Sequence, residues 1–387
     1  MRAPRVPRGL VPVLVFLSAS CGEAGRDDAG RMSLVATLGG ADTAGYARAD
    51  RPRAFRFPED HGPHPAYRTE WWYVTGNLAD GTGRPVGFQL TFFRNSLAPT
   101  PPASSSPWAT SQAYMAHLAV TDTERGAFHA FERFARGAEL LAGARARPFR
   151  VWLEDWVLEA SGPEATFPLR LSAAGGDVAL DLVLEAGKPP VLQGDAGLSR
   201  KGPEPGNASY YYSHTRLPAR GTVVLDDDTL TVTGAAWMDR EWSTSVLTEG
   251  LVGWDWFALQ LDDGWELLVY ALRLSDGSAH PLSEGVLVDP QGTKRRLTWG
   301  SGVLVEALGT WTSPHSGTAY PSTWRIQVPD RGWDFRVTPV LEDQELNLAF
   351  RYWEGSVAVT SFDGATPVSG RGYVELTGYG DAPLPKR

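Results

Sequence analysis

The sequence predicts an all-β protein with two barrels or sandwiches in tandem. Its 387 residues exceed the usual length of one compact domain and favour two. The 42 glycines and 29 prolines are scattered too evenly for long helices. Runs of strand character recur along the chain with turn residues between them, as is typical of barrels and sandwiches.

The first set of strands begins after residue 55. Residues 71–78 and 86–94 flank a glycine-containing turn, which predicts a hairpin. A stretch rich in proline and serine, residues 98–107, predicts a surface loop or lid. Further strand-like runs follow at residues 114–122, 127–136, 149–160, 167–172, 178–185, 209–216, 221–225 and 229–237, with a long loop at residues 194–207.

A second set of strands begins at residue 254, with runs at residues 254–261 and 265–273 around an Asp-Asp-Gly turn. This aromatic hairpin resembles the one that begins at residue 70, which suggests a duplicated barrel. We therefore expect an N-terminal barrel over residues 54–243 and a C-terminal barrel over residues 244–387. Junctions between domains are favoured places for ligand pockets.

The N-terminus looks like a bacterial lipoprotein leader covering residues 1–21. Arginines precede a short apolar segment, and small residues precede Cys21, which is the sole cysteine of the chain. Attachment of a lipid to Cys21 would explain a lone thiol in an exported protein. The position three before the cysteine holds Ser18 instead of the usual large aliphatic residue, so simple secretory cleavage stays open. Either way the protein is expected in the cell envelope, at an outer membrane or the periplasmic face.

Residues 22–53 contain few aromatic residues and predict a flexible tether. The net charge of −9 argues against nucleic acid as a partner. No basic amphipathic helix is evident, so membrane contact is expected through the lipid anchor. Other protein partners and the oligomeric state cannot be read from the sequence.

Acidic residues set among tryptophans mark the candidate site. Asp239 and Glu241 lie between Trp237 and Trp242, and Asp255 lies between Trp254 and Trp256. A carboxyl group surrounded by indole rings is poorly solvated, which raises its pKa and lets it act as an acid. Alternatively the tryptophans are core residues and the charged residues form a satisfied polar network.

Four strings resemble the hydroxyneurosporene synthase (carotenoid 1,2-hydratase) superfamily, in particular its exported lipocalin-like branch of so-called secreted hydrolases. They occupy residues 69–76, 237–242, 352–355 and 372–379. The resemblance covers roughly residues 55–380 and implies two tandem lipocalin-like antiparallel β-barrels. It does not by itself fix an activity, because one fold supports many functions.

For a hydratase the resemblance implies protonation of an alkene, a carbocation and capture by water. Asp239, Asp255 and Glu241 would be the acid candidates. The expected ligand-binding residues are Trp237, Arg240, Trp242, Trp254, Trp256, Trp72, His117 and Tyr212. Arg240 departs from the hydratase pattern, which has His there, and its fixed charge would favour ionised neighbouring carboxylates. Arg240 would then be a structural clamp or bind a carboxylate headgroup.

Weaker signals leave alternatives open. His61 and His64 form an H-x-x-H pair in a loop, where a third metal ligand is not evident. Glu354 and Glu375 stand beside aromatic residues in strands and are interpreted as structural. No serine-nucleophile elbow or nucleotide-binding motif occurs, and neither a cofactor nor a metal is expected.

Two functions from different classes follow. The first is an exported protein that binds a large hydrophobic or amphipathic ligand, such as a lipid, isoprenoid or polyketide, near the barrel junction. The second is a cofactor-free hydratase or isomerase that acts on an unsaturated isoprenoid or polyene, with Asp239 or Asp255 as the acid. The sequence favours the first through Arg240, through the expected anchor and tether, and through the absence of a nucleophile motif.

Overall fold

The computed structural model describes residues 43–380, apart from residues 139–140, 163–165, 245–249 and 363. Two antiparallel sheets, each curled into a nearly closed barrel, account for most of this part of the chain. The prediction of an all-β fold with two barrels is thus confirmed. The expected leader with Cys21, and the expected tether up to residue 42, lie outside the described residues.

The first sheet has thirteen strands. They are β1 (Thr69–Asp80), β2 (Pro85–Ser96), β3 (Gln112–Asp122), β4 (Ala127–Arg136), β5 (Ala142–Ala146), β6 (Phe149–Leu153), β7 (Trp156–Ala160), β8 (Leu169–Gly175), β9 (Val178–Leu184), β10 (Val191–Leu192), β11 (Leu198–Arg200), β12 (Ala208–Leu225) and β13 (Asp228–Ser243). A 3-10 turn, Glu59–His61, precedes them.

The second sheet has ten strands. They are β14 (Leu251–Leu261), β15 (Glu266–Leu274), β16 (Glu284–Val288), β17 (Lys294–Thr298), β18 (Leu304–Thr312), β19 (Ala319–Val328), β20 (Trp333–Pro339), β21 (Glu345–Asn347), β22 (Arg351–Ser361) and β23 (Ser369–Leu376). A second 3-10 turn, Pro329–Arg331, lies between β19 and β20.

Both sheets are wound in the same way. In each, the first strand pairs with the second strand and with the last, so that β1 lies between β2 and β13 and β14 lies between β15 and β23. The open edges are sequence neighbours, β4 and β5 in one sheet and β17 and β18 in the other. The two hairpins that resemble each other in sequence thus occupy equivalent places.

Residues that were expected to belong to the tether pack against the first barrel. The amide of Ala47 donates to the carbonyl of Ala66 at 2.8 Å, and Ala49 is fully buried. Arg53 pairs with Asp60 at 2.5 Å. The tether therefore cannot extend to residue 53, because small side chains and local hydrogen bonds hold this segment in place. Among the described residues, none of the helical segments has the length and apolarity needed to cross a membrane.

Alternation along the strands produces three apolar layers. One face of each sheet fills its own barrel, with residues such as Phe88, Leu90 and Phe92 in the first. The opposite faces pack against each other, and Gly87 allows the sheets to approach there. A Cβ atom at Gly87 would lie 2.7 Å from the Tyr373 hydroxyl. Both faces of the central strands are therefore buried.

A buried ion cluster joins the two sheets. Glu266 on β15 is fully buried and accepts hydrogen bonds from Lys188 and Arg216 of the first sheet's region, each at 2.6 Å. Thr215 donates a further bond at 3.1 Å. All of these donors converge on one carboxylate, so its loss would leave two cations without their partner at the sheet junction.

We predict that Glu266→Gln lowers the free energy of unfolding by about 3 kcal/mol, because it removes the charge that Lys188 and Arg216 share. Urea unfolding measures this change. Asp181→Asn is the matched control, since Asp181 pairs with Arg170 at a site where both side chains are about half exposed. The free energy of unfolding of the control should fall by less than about 1 kcal/mol. Equal losses in the two variants would contradict the role of the cluster.

Candidate functional site

Strand β13 separates the candidate residues between its two faces. Asp239 and Glu241 point toward the second sheet and line a pocket there. Arg240 lies on the opposite face, inside the first barrel, where it contacts the Trp72 ring. Successive side chains of a strand point to opposite sides, which explains the division. The Arg240 guanidinium and the carboxyl groups of its two acidic neighbours in sequence therefore lie on opposite sides of the sheet.

The pocket lies between the outward faces of the two sheets and has a volume of about 80 Å³. Strands β1, β2, β12 and β13 supply one wall, and β14, β15, β22 and β23 supply the other. The lining residues are Trp71, Tyr73, Thr91, Phe93, Lys201, Tyr211, Asp239, Glu241, Trp254, Trp256, Tyr270, Leu272, Tyr352, Glu354 and Glu375. The walls are thus aromatic, and carboxyl groups are set among them.

Asp239 is held by donors on both oxygens. Its Oδ1 accepts from Trp237 Nε1 at 2.7 Å, and its Oδ2 accepts from the Tyr211 hydroxyl at 2.5 Å. Trp256 Nε1 in turn donates to that hydroxyl at 3.2 Å. Burial raises the pKa of Asp239 to about 7, although these donors act in the opposite direction. Asp239 can therefore gain or lose a proton near neutral pH.

Glu354 and Glu375 face each other as cross-strand partners on β22 and β23. Burial raises the pKa of Glu354 well above its usual range, and the negative charge of Glu375 adds to this effect. Burial also raises the pKa of Glu375 to about 7. Two carboxylates this close in a poorly hydrated pocket cannot both be ionised easily, so Glu354 keeps its proton at neutral pH.

The two glutamates differ in their hydrogen bonds. Glu375 Oε1 accepts from Trp254 Nε1 at 2.6 Å. The hydroxyls of Tyr73 and Tyr352 oppose the rise in the pKa of Glu354, yet among the described residues neither Glu354 oxygen has a partner at full hydrogen-bonding geometry, and the buried Tyr73 hydroxyl has none either. A buried polar group without a partner is costly, and such groups in a pocket are available to a ligand or water. Glu354 is thus a protonated acid that lines the pocket beside two tyrosine hydroxyls.

Lys201 is the sole basic side chain among the described lining residues. Its Nζ lies 3.1 Å from Glu241 Oε1 and near the faces of Tyr211 and Tyr270. Ser209 also donates to Glu241. Lys201 is thus already paired with Glu241. Among the described lining residues, no second basic side chain is present to pair with Asp239, Glu354 or Glu375.

Arg240 is a structural clamp inside the first barrel. It pairs with the fully buried Glu70 and donates to the carbonyl of Trp71 at 3.1 Å. Arg94 binds the same carboxylate. Burial alone would raise the pKa of Glu70, but the two arginines hold it well below its usual range. The expectation that Arg240 keeps Asp239 and Glu241 ionised is wrong, because its partner is Glu70 on the other face.

Three more expected ligand-binding residues lie in the same interior network. Trp72 stacks under the Arg240 guanidinium at 3.9 Å, and Trp242 stacks on His64 with 3.8 Å between ring centroids. The Tyr212 hydroxyl lies 2.5 Å from His61 Nδ1. These side chains fill the first barrel and do not line the pocket. Both histidines of the H-x-x-H pair thus belong to this network.

Asp255 also lies outside the pocket. It is flanked by Trp254 and Trp256, which line the pocket wall, so alternation turns it to the opposite side of β14. There it pairs with Arg273 at 2.5 Å and accepts from the Tyr379 hydroxyl at 3.0 Å. Burial raises its pKa, while Arg273 opposes the shift. This location separates Asp255 from the other acid candidates.

His117 supports the pocket from behind its wall. Its Nδ1 lies 2.7 Å from the hydroxyl of Tyr352, which lines the pocket. Burial lowers the pKa of His117 to about 3, so the ring is neutral. Since Tyr352 and Glu354 are two positions apart on β22, they share a face. His117 therefore orients a hydroxyl next to the acid pair.

Sequence reasoning interpreted Glu354 and Glu375 as structural and did not select Tyr73 or Lys201. The strand period offered one signal, because Glu354 shares a strand face with Tyr352 and is the sole acidic residue between Arg351 and Ser361. The pairing of Glu354 with Glu375 depends on the register of β22 and β23. That register is not visible in the sequence alone.

We predict that the raised pKa of Asp239 makes stability fall with rising pH. The folded state holds this proton up to about pH 7, whereas the unfolded chain releases it near pH 4. The group's contribution is therefore complete below about pH 4 and is lost at about 1.4 kcal/mol per pH unit as the pH rises to about 7. Urea unfolding at pH 5, 6 and 7 should show a shallower decline in Asp239→Asn than in the wild type.

Asp181→Asn controls for the loss of an exposed carboxyl whose pKa is lowered by Arg170. This variant should keep the pH dependence of the wild type between pH 5 and pH 7, because Asp181 is ionised in both states there. An unchanged pH dependence in Asp239→Asn would show that Asp239 has an ordinary pKa.

Comparison with known proteins places the chain in a family. The family model described as AttH-like matches residues 48–379. The crystal structure of a Nitrosomonas europaea protein assigned as AttH is 36% identical, with a TM-score of 0.75, and the match covers 86% of this chain and 99% of that one. No protein of curated function matches the sequence.

Two solved structures with lower identity share the fold. Kievitone hydratase from Nectria haematococca is 15% identical with a TM-score of 0.63, and the match covers 87% of this chain and 96% of that chain. The structure of CghA with Sch210972 is 14% identical with a TM-score of 0.54, covering 87% and 98% of the two chains. From the family match and the Nitrosomonas structure, the chain belongs to the AttH-like family.

Proposed function

We propose that the protein adds water to a carbon–carbon double bond of a neutral unsaturated molecule, with Glu354 as the proton donor. The observation that carries this proposal is the buried acid pair of Glu354 and Glu375 in an aromatic pocket. An acid that lines the pocket and is protonated at neutral pH is what protonation of an alkene requires.

The reaction has three steps. Glu354 transfers its proton to one alkene carbon, which leaves a carbocation on the other carbon and a carboxylate on Glu354. The faces of Trp71, Trp254 and Trp256 and the nearby carboxylates stabilise the positive charge. Water attacks the cation, and ionised Glu375 accepts the proton that the water releases. Proton transfer from Glu375 to Glu354 then restores the starting state.

Structural likeness supports this class of reaction without proving it. Kievitone hydratase shares the fold, and its name describes the addition of water. The sequence-based argument for a binding protein relied on Arg240, which lies inside the first barrel and is committed to Glu70. Arg240 therefore does not support a carrier function for this pocket, while three carboxyl groups with raised pKa values line it.

The pocket also limits the size of the reacting group. Its volume of about 80 Å³ is smaller than the roughly 150 Å³ of an engineered cavity that binds benzene. It can enclose the end of a branched chain but not a whole polyene. Trp71 and Trp254 are only partly buried, so the rest of a long substrate would extend past them. An isoprenoid with a terminal double bond fits these limits.

We predict that Glu354→Gln lowers the rate of hydration by at least about 100-fold, because Gln cannot donate the proton. The assay mixes the protein with a lipid extract of its own cells in ¹⁸O-water and follows ¹⁸O incorporation by mass spectrometry. Asp255→Asn is the matched control, since Asp255 lies on the far side of β14 and should leave turnover within a few-fold. Circular dichroism confirms that both variants fold.

The same assay separates the alternatives. Full activity in Glu354→Gln would show that Glu354 is not the proton donor. Loss of activity in folded Asp255→Asn alone would indicate that Asp255, an acid candidate predicted from the sequence, is the proton donor. A compound that co-purifies with the protein and gains no ¹⁸O would make the protein a carrier.

We further predict that the pocket prefers cations to neutral groups of the same shape. Asp239, Glu354 and Glu375 have no balancing cation in the pocket, and aromatic faces attract positive charge. A prenyl chain that ends in trimethylammonium should bind at least about 10-fold more tightly at pH 8 than the same chain ending in tert-butyl. Tryptophan fluorescence titration measures both affinities.

The preference should grow between pH 6 and pH 8, because Asp239 and Glu375, each with a pKa of about 7, lose their protons in this interval. Asp239→Asn should weaken this pH dependence while leaving the tert-butyl compound unaffected. Equal affinities for the two compounds at pH 8 would contradict the assigned charge of the pocket.

A further inference from the structure

The loop between β2 and β3, residues 97–111, is an exposed, uncharged segment that carries large apolar side chains. No charged residue occurs between Arg94 and Asp122, although 21% of the chain is charged. Leu97 is 67% exposed and Trp108 is 54% exposed, the two largest values among the large hydrophobic side chains described. Exposed apolar groups without charges around them indicate an interaction surface.

Hydrogen bonds hold this loop in a defined shape. The amide of Leu97 donates to the carbonyl of Ser111 at 2.7 Å and closes the neck of the loop. The side chain of Ser106 accepts from the amide of Trp108 at 3.3 Å, and Ser104 accepts from Ser106 at 3.2 Å. Short turns of this kind fix the backbone, so Trp108 is presented outward by an ordered scaffold.

The start of the described chain lies directly on this loop. The Tyr46 hydroxyl donates to the carbonyl of Ser96 at 3.0 Å. A Cβ atom at Gly45 would lie 2.9 Å from Pro99, so the two segments are in close contact. The sequence that precedes them contains the leader and Cys21, where a lipid is expected. The described chain therefore begins in contact with the loop that carries Leu97 and Trp108.

We propose that residues 97–111 dock on a lipid surface, with Leu97 and Trp108 entering the interfacial region. Tryptophan is favoured at the boundary between lipid and water, and the lack of charge on the loop suits a zwitterionic surface. Phe93 and Trp71 line the pocket near the end of the sheet from which the loop emerges. Docking therefore brings the pocket close to the lipid. This inference goes beyond the proposed reaction and does not depend on it.

The test uses the chain from residue 22 onward, so that neither the apolar leader segment nor a lipid on Cys21 can contribute. Its partition onto phosphatidylcholine vesicles is measured by co-sedimentation. Adding Trp108→Asp or Leu97→Asp should lower the partition coefficient about ten-fold, because each places a charge among lipid headgroups and removes an apolar contact. Trp108→Phe should retain most of the binding.

Leu308→Asp is the matched control, since Leu308 is 42% exposed on β18 of the other barrel. It should leave partition unchanged. The proposal is overturned if the parent does not bind vesicles, if the loop variants bind as well as the parent, or if Leu308→Asp loses as much binding as they do. Thermal unfolding confirms that all variants remain folded.

Discussion

Strand β13 keeps two buried charge networks apart. On its inner face Arg240, together with Arg94, neutralises Glu70 inside the first barrel. On its outer face Asp239 has only neutral donors, from Trp237 and Tyr211. Because successive side chains of a strand point to opposite faces, the Arg240 guanidinium does not pair with the Asp239 carboxyl group. Burial can therefore raise the pKa of Asp239 without an arginine to oppose it.

The pocket exists because two curled sheets pack with their outer faces together. Most barrels leave that face to water, but here it is covered, so carboxyl groups on it lose their hydration. Glu354 responds by keeping its proton, and the pKa of Glu375 rises to about 7, so the pocket avoids two buried charges on this pair. The cluster around Glu266 and the aromatic contacts between the sheets offset what the unsatisfied acids cost. A strained polar site is thus supported by the packing around it.

Much of the fold could be predicted from the sequence, because turn residues and strand-like runs mark the hairpins. The first hairpin and its repeat are formed by β1–β2 and β14–β15. The acidic cluster of residues 237–242 could also be predicted, but residues from both faces of the strand were assigned to one site. Applying the two-residue period of a strand would have separated Asp255 from Trp254 and Trp256, and Arg240 from Asp239.

Other features were beyond the sequence. Glu354 and Asp239 line one pocket only because β22 packs against the first sheet, and that packing joins segments more than 100 residues apart. Lys201 comes from a loop whose path nothing in its composition predicts. The segment from residue 47 to residue 53 has the composition of a tether, yet a few contacts around Ala49 hold it in place.

The central claim is that Glu354 is a neutral acid in the pocket at physiological pH. Infrared difference spectroscopy between the wild type and Glu354→Gln at pH 7 tests it most directly, because a protonated carboxyl has a C=O stretch that a carboxylate lacks. The account predicts a band of a weakly hydrogen-bonded carboxylic acid in the wild type that is missing from the variant. A difference spectrum that shows loss of carboxylate bands instead would mean that Glu354 is ionised, and the proposed proton donor would be wrong.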